Sequence, residues 1–177
     1  MPGDIKYRDV DGNGVIDSKD QVMISKTANM PRIQYGFGVN IDWKRFNFGV
    51  FFNGSAMRDI NINGLHPFGQ NDYNAMKFVA ENRWTEANPN PNAEYPRLGL
   101  NDSQMSNNSQ SSTYWIRNGN FLRFKTLEIR YHFDHVRLYF TGNNLPVFSP
   151  FKLWDPELGW NSYPLQRTFC IGAQLSF

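Results

Sequence analysis

The sequence is poor in features that would indicate a disulfide scaffold, a helical membrane protein or a nucleic-acid-binding protein. It has one cysteine, Cys170, in 177 residues, so no internal disulfide can form and no cysteine-based metal site fits. No apolar run reaches the ~18 residues that a membrane helix needs. Charged residues make up 19% of the chain, the net charge is +2, and there is no basic run. The charge pattern therefore gives no reason to expect nucleic acid as a partner.

Patterns of catalysis and of secretion are missing as well. The histidines, His66, His132 and His135, do not stand at metal-ligand spacings with carboxylates. Neither a Ser-His-Asp arrangement nor a G-x-S-x-G sequence is present, so we expect no enzymatic activity. The first residues, MPGDIKYRD, lack the apolar stretch of a signal peptide.

Aromatic residues are abundant, at 16% of the chain, and they fall in alternating runs. Residues 32–43, RIQYGFGVNIDW, alternate polar and apolar side chains without a break, which predicts a strand with one apolar face. Residues 45–54 repeat the pattern directly afterwards, with Phe51 as an exception, so a tight hairpin is expected around Lys44. The same alternation predicts further strands over 120–133, 136–142 and 166–177, with a short turn at Asp134–His135. The sequence therefore predicts an all-β, antiparallel fold.

The connections between these strands are uneven. Two are tight and two are long, over residues 55–119 and 143–165, and a helix is expected at about 72–84 within the first long one. Alternation alone does not distinguish a soluble β-sandwich from a membrane barrel. Aromatic residues at the strand ends, strands of ~10 residues, and short turns opposite long loops are typical of an outer-membrane barrel. A final strand that ends on Phe177 also favours the barrel.

Residues 9–20, DVDGNGVIDSKD, match the spacing of a calcium-binding loop. Such a loop supplies oxygen at positions 1, 3, 5, 7, 9 and 12, and has glycine at position 6. Gly14 stands at the glycine position. The predicted calcium ligands are Asp9, Asp11, Asn13, the carbonyl of Val15, Asp17 and Asp20. The alternative is a hydrogen-bonded turn that never takes up metal.

Seven stretches, in order along nearly the whole chain, are similar to one family. The chain resembles the C-terminal part of SusC/RagA-type TonB-linked (TonB-dependent) outer-membrane transporters. The stretches are PGDIKYRDVDGNGVIDSKD, MPRIQYGFGVNIDWKRFNFGVFFNG, NRWTEANPNPNAEYPRL, IRNGNFLRFKTLEIRY, TGNNL, WDPELG and YPLQRTFCIGAQLSF.

The resemblance implies a fold and a function that the pattern alone does not give. It implies an antiparallel transmembrane β-barrel of about 22 strands with a plugged lumen, of which about five C-terminal strands would lie here. It implies import of oligosaccharides or peptides across the outer membrane of a Gram-negative bacterium, driven by TonB through a missing N-terminal part. The implied partners are a SusD-like lipoprotein lid and the rest of the barrel with its plug. The chain is thus expected to be a fragment of a larger protein.

The resemblance also orients the predicted segments. Residues 32–54 and 120–142 would be barrel hairpins, and 166–177 the terminal strand. Segments 1–31, 55–119 and 143–165 would be extracellular loops, so the calcium loop would face the outside. Gly36, Gly38, Asn40, Asp42 and Arg130 would face the lumen.

Aromatic residues of the outer loops are weak candidates for stacking on substrate. They are Trp84, Trp115, Trp154 and Trp160; the alternative is that they pack the loops or touch the lid. The rival function is a secreted calcium-binding protein with a carbohydrate-binding or adhesion β-sandwich. A dockerin-like module would need a second calcium loop, and the sequence has only one.

Overall fold

The computed structural model describes residues 1–27, 30–63, 75–99, 102–159 and 162–177. The chain divides into two compact units. We call Met1–Lys26 with Asn61–Ile116 the loop unit, and Thr27–Ile60 with Arg117–Phe177 the sheet unit. Each unit has buried apolar side chains of its own. In the loop unit they include Ile62, Val79, Tyr95, Met105 and Trp115, and in the sheet unit Ile60, Phe121, Leu145 and Phe151.

The sheet unit is built on one large antiparallel sheet, which confirms the all-β prediction. Its strands are β1 (Ile33–Trp43), β2 (Phe46–Ala56), β5 (Phe121–His132), β6 (Val136–Asn143), β7 (Val147–Phe148) and β8 (Thr168–Leu175). The order is β1-β2-β5-β6-β8, and the short β7 pairs with β5. Two further strands, β3 (Asp59–Asn61) and β4 (Ile116–Asn118), form a separate two-stranded sheet.

Both predicted tight turns are confirmed, and they lie at the same end of the sheet. Trp43 is opposite Phe46, which leaves Lys44 and Arg45 as the turn, and Lys44 has a φ of 55°. At the second turn the Phe133 N–H donates to the Val136 carbonyl at 2.7 Å. All the longer connections therefore leave the sheet at the opposite end.

One face of this sheet is apolar and exposed. Phe37, Phe52 and Phe124 stack across β1, β2 and β5, with ring centroids 5.3 and 4.7 Å apart. Val39 is 51% exposed and Ile171 is 82% exposed. Because a soluble monomer rarely exposes a contiguous apolar surface of this extent, the face is suited to contact with lipid or with another apolar surface.

The other face of the sheet carries polar groups together with aromatic rings that cover glycines. The Asp42 carboxylate accepts a hydrogen bond from Asn47 at 2.5 Å. A Cβ atom on Gly38 would lie 3.1 Å from the Phe51 ring, and one on Gly172 would lie 2.3 Å from the Tyr139 ring. The contact with Gly38 explains why Phe51, an apolar residue, can interrupt the polar side of β2. Its ring occupies space that only a glycine leaves free.

Strand β5 contains a bulge that the sequence-based prediction did not include. Phe51 is opposite Thr126 while Phe52 is opposite Phe124, so Lys125 is the extra residue. A bulge places two residues against one and shifts the alternation by one position. Leu122 and Phe124 therefore share the apolar face with Leu127, although their numbers differ in parity.

Among the residues that the structure describes, the helices are few and short. They are α1 (Lys77–Asn82) and α2 (Asp102–Met105), with 3-10 turns at Ser18–Asp20 and Thr113–Trp115. The helix predicted at 72–84 is present as the shorter α1, which buries Val79; residues 72–74 lie outside the described part. In the ranges that the structure describes, no helix is long and apolar enough to cross a membrane.

Candidate functional site

The acidic loop of residues 9–20 brings three carboxylates together. Oxygen atoms of Asp9, Asp11 and Asp20 lie within 4.8 Å of one another. Carboxylate oxygens at this mutual distance are the hard ligands that Ca²⁺ prefers. Three negative charges held this close repel one another, so a cation between them would relieve that repulsion.

Backbone amides fix the orientation of these carboxylates. Asp9 accepts the N–H of Gly12 at 2.6 Å through one oxygen and that of Gly14 at 2.8 Å through the other. Both glycines have positive φ, 75° and 84°, which residues with a side chain rarely adopt. Asp20 accepts the N–H of Val10 at 2.6 Å and that of Asp17 at 2.8 Å. These bonds lower the pKa of the Asp20 carboxyl below its ordinary value, the bond from Val10 most of all.

The remaining predicted calcium ligands have other contacts. The Asn13 side chain donates to Asp11 at 3.0 Å and accepts the N–H of Val15 at 2.7 Å. Asp17 caps the 3-10 turn and accepts the N–H of Lys19 at 2.7 Å. In the described part of the chain, the acidic cluster thus comprises Asp9, Asp11 and Asp20, with Asn13 bonded to one member.

Two of the four candidate tryptophans belong to the loop unit. Trp115 is fully buried, and its indole N–H donates to the Asn108 carbonyl at 3.0 Å, so its ring has no exposed surface for a ligand. Trp84 is half-buried and packs on Gly3, where a Cβ atom would lie 2.3 Å from the indole. Trp84 also lines an open cleft of the loop unit.

The other two candidates belong to the segment 143–165. Trp154 packs edge-on against Phe151 at 4.5 Å. Trp160 lies outside the described residues.

A cluster of ionic and hydrogen-bonded groups joins distant parts of the loop unit, and sequence reasoning missed it. Asp4 is 2.7 Å from the Arg97 guanidinium and accepts the Asn108 amide at 2.9 Å. Asn108 in turn accepts the N–H of Ile5 at 2.8 Å, and the Arg97 N–H donates to the Gly3 carbonyl at 2.9 Å. Two of the similar stretches therefore meet at one point of the structure: the first through Gly3 and Asp4, and NRWTEANPNPNAEYPRL through Arg97.

The pKa of the Asp4 carboxyl lies below its ordinary value. Partial burial by itself raises this pKa, but hydrogen bonds from the N-terminus, Arg97 and Asn108, together with the charge of Arg97, outweigh it. Asp4 is therefore a carboxylate at neutral pH, and its negative charge pairs with the positive charge of the Arg97 guanidinium.

A wide cleft opens between segments of the loop unit. Its volume is about 2460 Å³. The acidic loop forms one wall through Asp9, Asp17 and Asp20, and aromatic, proline and amide side chains form others. These include Tyr7, Trp84, Pro89, Pro91, Asn107, Gln110 and Tyr114. Aromatic rings beside amide groups suit ligands with both apolar faces and hydrogen-bonding edges, such as sugars and peptides.

The fold and the exposed apolar face define the class of protein: a stretch of antiparallel, barrel-type sheet with long loops at one end. Comparison with known proteins supports this class and shows which family the chain resembles. TonB-dependent receptor P26 of Formosa agariphila is 30% identical over 202 residues, which cover 99% of this chain and 20% of the receptor. TonB-dependent receptor SusC of Bacteroides thetaiotaomicron is 28% identical over 188 residues, covering 97% of this chain and 17% of the receptor. No protein-family model matches the chain.

Solved structures agree with the sequence comparison. A structure of the RagAB peptide transporter matches with a TM-score of 0.65 and 24% identity, over 92% of this chain and 19% of that chain. The RagAB peptide importer in its 'open-open' state matches with a TM-score of 0.59 and 25% identity, over 85% of this chain and 18% of that chain. The predicted resemblance to SusC/RagA-type TonB-linked transporters is therefore confirmed. The chain spans about a fifth of the length of these relatives.

Proposed function

We propose that the chain forms part of an outer-membrane, TonB-dependent nutrient importer. The observation that carries this proposal is the exposed apolar face, whose row of Tyr35, Phe37, Val39, Ile41 and Trp43 has an aromatic ring at each end. The whole strand, from Ile33 to Trp43, covers roughly 33 Å at ~3.3 Å per residue. That length suits the tilted crossing of an apolar band about 25 Å tall with aromatic girdles.

The rival β-sandwich lacks this support. A sandwich needs a second sheet that covers the apolar face of the first. In the residues that the structure describes, that face is exposed along β1 and β8. A barrel leaves the same face to lipid, so the importer is the better explanation of the arrangement.

We further propose that the importer takes up oligosaccharides or peptides and works with a SusD-like lipoprotein, without catalysing a reaction itself. The relatives named SusC and RagAB support the choice. The cleft of the loop unit is the proposed substrate-contacting surface, with Trp84 and Tyr114 as its aromatic contacts and Asn107 as a hydrogen-bonding group.

Co-purification and uptake test this function. The whole protein, tagged and extracted from its own outer membrane in mild detergent, should bring down a lipoprotein in stoichiometric amount. Cells that carry it should take up a labelled oligosaccharide or peptide mixture, and removal of the proton-motive force should abolish uptake. Recovery of the protein without a lipoprotein, together with uptake that does not depend on energy, would contradict the proposal.

We also propose that the acidic loop binds Ca²⁺ through Asp9, Asp11 and Asp20, with Asn13, Val15 and Asp17 completing the ligand set. The preorganised carboxylates support this, because their oxygens are already close and oriented by amides. A bound ion would also stiffen one wall of the cleft. An exposed loop with aspartate in place of glutamate at its last position suits the weak affinity of extracellular calcium modules, on the order of 10⁻⁴–10⁻³ M.

Terbium luminescence tests the calcium site. Tyr7, two residues before Asp9, should sensitise bound Tb³⁺, and Ca²⁺ should displace the signal. Asp9→Ala with Asp11→Ala should remove the signal, because two of the three clustered carboxylates are lost. Glu81→Ala with Glu86→Ala removes two exposed acidic residues elsewhere in the loop unit and should leave it intact. A signal that survives the aspartate variant would show that the metal binds elsewhere.

A further inference from the structure

The polar face of the sheet is covered at the end where the long connections leave it. Arg123 is only 2% exposed, Ser55 3% and Phe121 7%. All three project to the face opposite the Phe52–Phe124 ring stack, as the alternation of β2 and β5 requires. In a barrel this face is expected to contact water. The burial of an arginine there therefore needs an explanation.

Residues 149–159, which we call the strap, provide the cover. Arg123 contacts Asp155 of the strap through one terminal nitrogen, 2.5 and 2.6 Å from the two carboxylate oxygens. Its Nε atom donates to Glu157 at 2.8 Å. Lys125 lies 3.4 Å from Glu157, and Arg58 donates to the Pro156 carbonyl. One buried guanidinium thus binds both acidic residues of the strap.

The strap itself is preorganised for this contact. The Asp155 carboxylate accepts the N–H of Glu157 at 3.0 Å, and the Asp155 carbonyl accepts the N–H of Leu158 at 3.0 Å. Pro156, between the two acids, is fully buried and fixes the local backbone. The Asp155 side chain therefore both stabilises the turn within the strap and binds Arg123.

Other contacts of the strap with the sheet have opposing effects on its closure. Phe151 is buried against Trp154, and Ser149 donates to the Asn120 carbonyl at 2.7 Å. By contrast, three buried polar atoms have no hydrogen-bond partner among the described residues: Asn53 Oδ1, Ser55 Oγ and Trp154 Nε1. Sealing polar atoms without partners opposes closure, so the ionic contacts must offset that cost.

We propose that Arg123 is a positioning residue that holds the strap down on the polar face, and that the strap opens when this guanidinium is removed. The inference goes beyond the proposed function and rests on it in one respect: in an importer this face lines the passage, which the closed strap narrows. Removing one partner of a buried ion pair leaves the other charges uncompensated. Loss of Arg123 would leave both Asp155 and Glu157 without their main partner.

Hydrogen exchange of the whole protein in detergent tests the proposal. In Arg123→Gln, the amides of Phe151, Glu157 and Leu158 should exchange at least tenfold faster, and trypsin should cut after the exposed Lys152. Arg130→Gln is the matched control. Arg130 lies on the same strand and face, but it contacts Glu128 at 2.6 Å instead of the strap, so its loss should leave strap exchange unchanged.

A second variant guards against misfolding of the strand. Asp155→Asn with Glu157→Gln changes only the strap and should give the same tenfold increase, while the amides of β2 and β5 keep their protection. Strap exchange that stays at the wild-type rate in both variants would overturn the proposal. So would an increase of equal size in Arg130→Gln. Neither readout depends on transport, so failure here is distinguishable from failure of the importer hypothesis.

Discussion

Val39→Lys is expected to destabilise the sheet in a bilayer. Val39 lies midway between Tyr35 and Trp43 on the exposed apolar face of β1. A lysine on the lipid face near the bilayer midplane costs roughly 2–4 kcal/mol. The whole protein, refolded in lipid vesicles, should therefore unfold at a lower urea concentration, and less of it should migrate as the compact, heat-modifiable form on an unboiled gel.

Asn40→Lys is the control for this prediction, since Asn40 is the next residue of the same strand and lies on the polar face. It should change the urea midpoint little. If Val39→Lys were as stable as the wild type, or if the Asn40 variant lost as much stability, the apolar face would not be in contact with lipid. The half-exposed Val39 would then be an ordinary surface residue in water.

Trp115→Ala is expected to unfold the loop unit and to leave the sheet unit folded. The Trp115 ring is fully buried, and replacing a buried tryptophan by alanine typically costs about 3–5 kcal/mol. The lost indole would also leave the Asn108 carbonyl without its donor. Hydrogen exchange should show loss of protection at the Ile62 amide, which donates to the Trp115 carbonyl at 3.0 Å, while the amides of β2 and β5 stay protected.

Tyr114→Ala provides the comparison, because Tyr114 is adjacent in sequence but only half-buried and lines the cleft. It should reduce protection far less than the tryptophan variant. The opposite result would contradict the placement of Trp115 in the core. A Trp115→Ala protein with intact protection and weakened substrate binding would instead support its sequence-based interpretation as a stacking residue.

The strands could be predicted because their pattern is local. In β1, every second residue from Ile33 to Trp43 is apolar, and the observed strand, Ile33–Trp43, is one residue shorter than the predicted 32–43. The β5 bulge was also readable in principle. The apolar positions change from even numbers at Leu122 and Phe124 to odd numbers at Leu127 and Ile129, and a change of phase inside a strand is the signature of one extra residue.

The loop unit could not be predicted in the same way. Its central contacts join residues about a hundred positions apart, such as Ile5 with Asn108, and irregular backbone carries no periodicity that reveals such pairs. The acidic loop is different, because its ligand spacing is a property of twelve consecutive residues. The spacing predicts six oxygen ligands, and the structure brings together the carboxylates of three of those residues, Asp9, Asp11 and Asp20.

The role of Arg123 shows the same limit. Alternation places it on the polar face of β5, which predicts contact with water. Its burial depends on a strap about thirty residues further along the chain. The only signal in the sequence was that NFLRF and WDPELG both belong to the stretches similar to the transporter family, and that signal does not indicate that they touch.

Fractionation of the source cells tests the central claim most directly. An antibody raised against residues 55–119 should detect a band in the outer-membrane fraction, several times larger than the 20.6 kDa of this chain and released by detergent but not by high salt. That result is expected if the apolar face of the sheet contacts lipid within a larger barrel. A band of 20.6 kDa in the soluble fraction would contradict the account. The secreted β-sandwich would then be the better interpretation of the sequence.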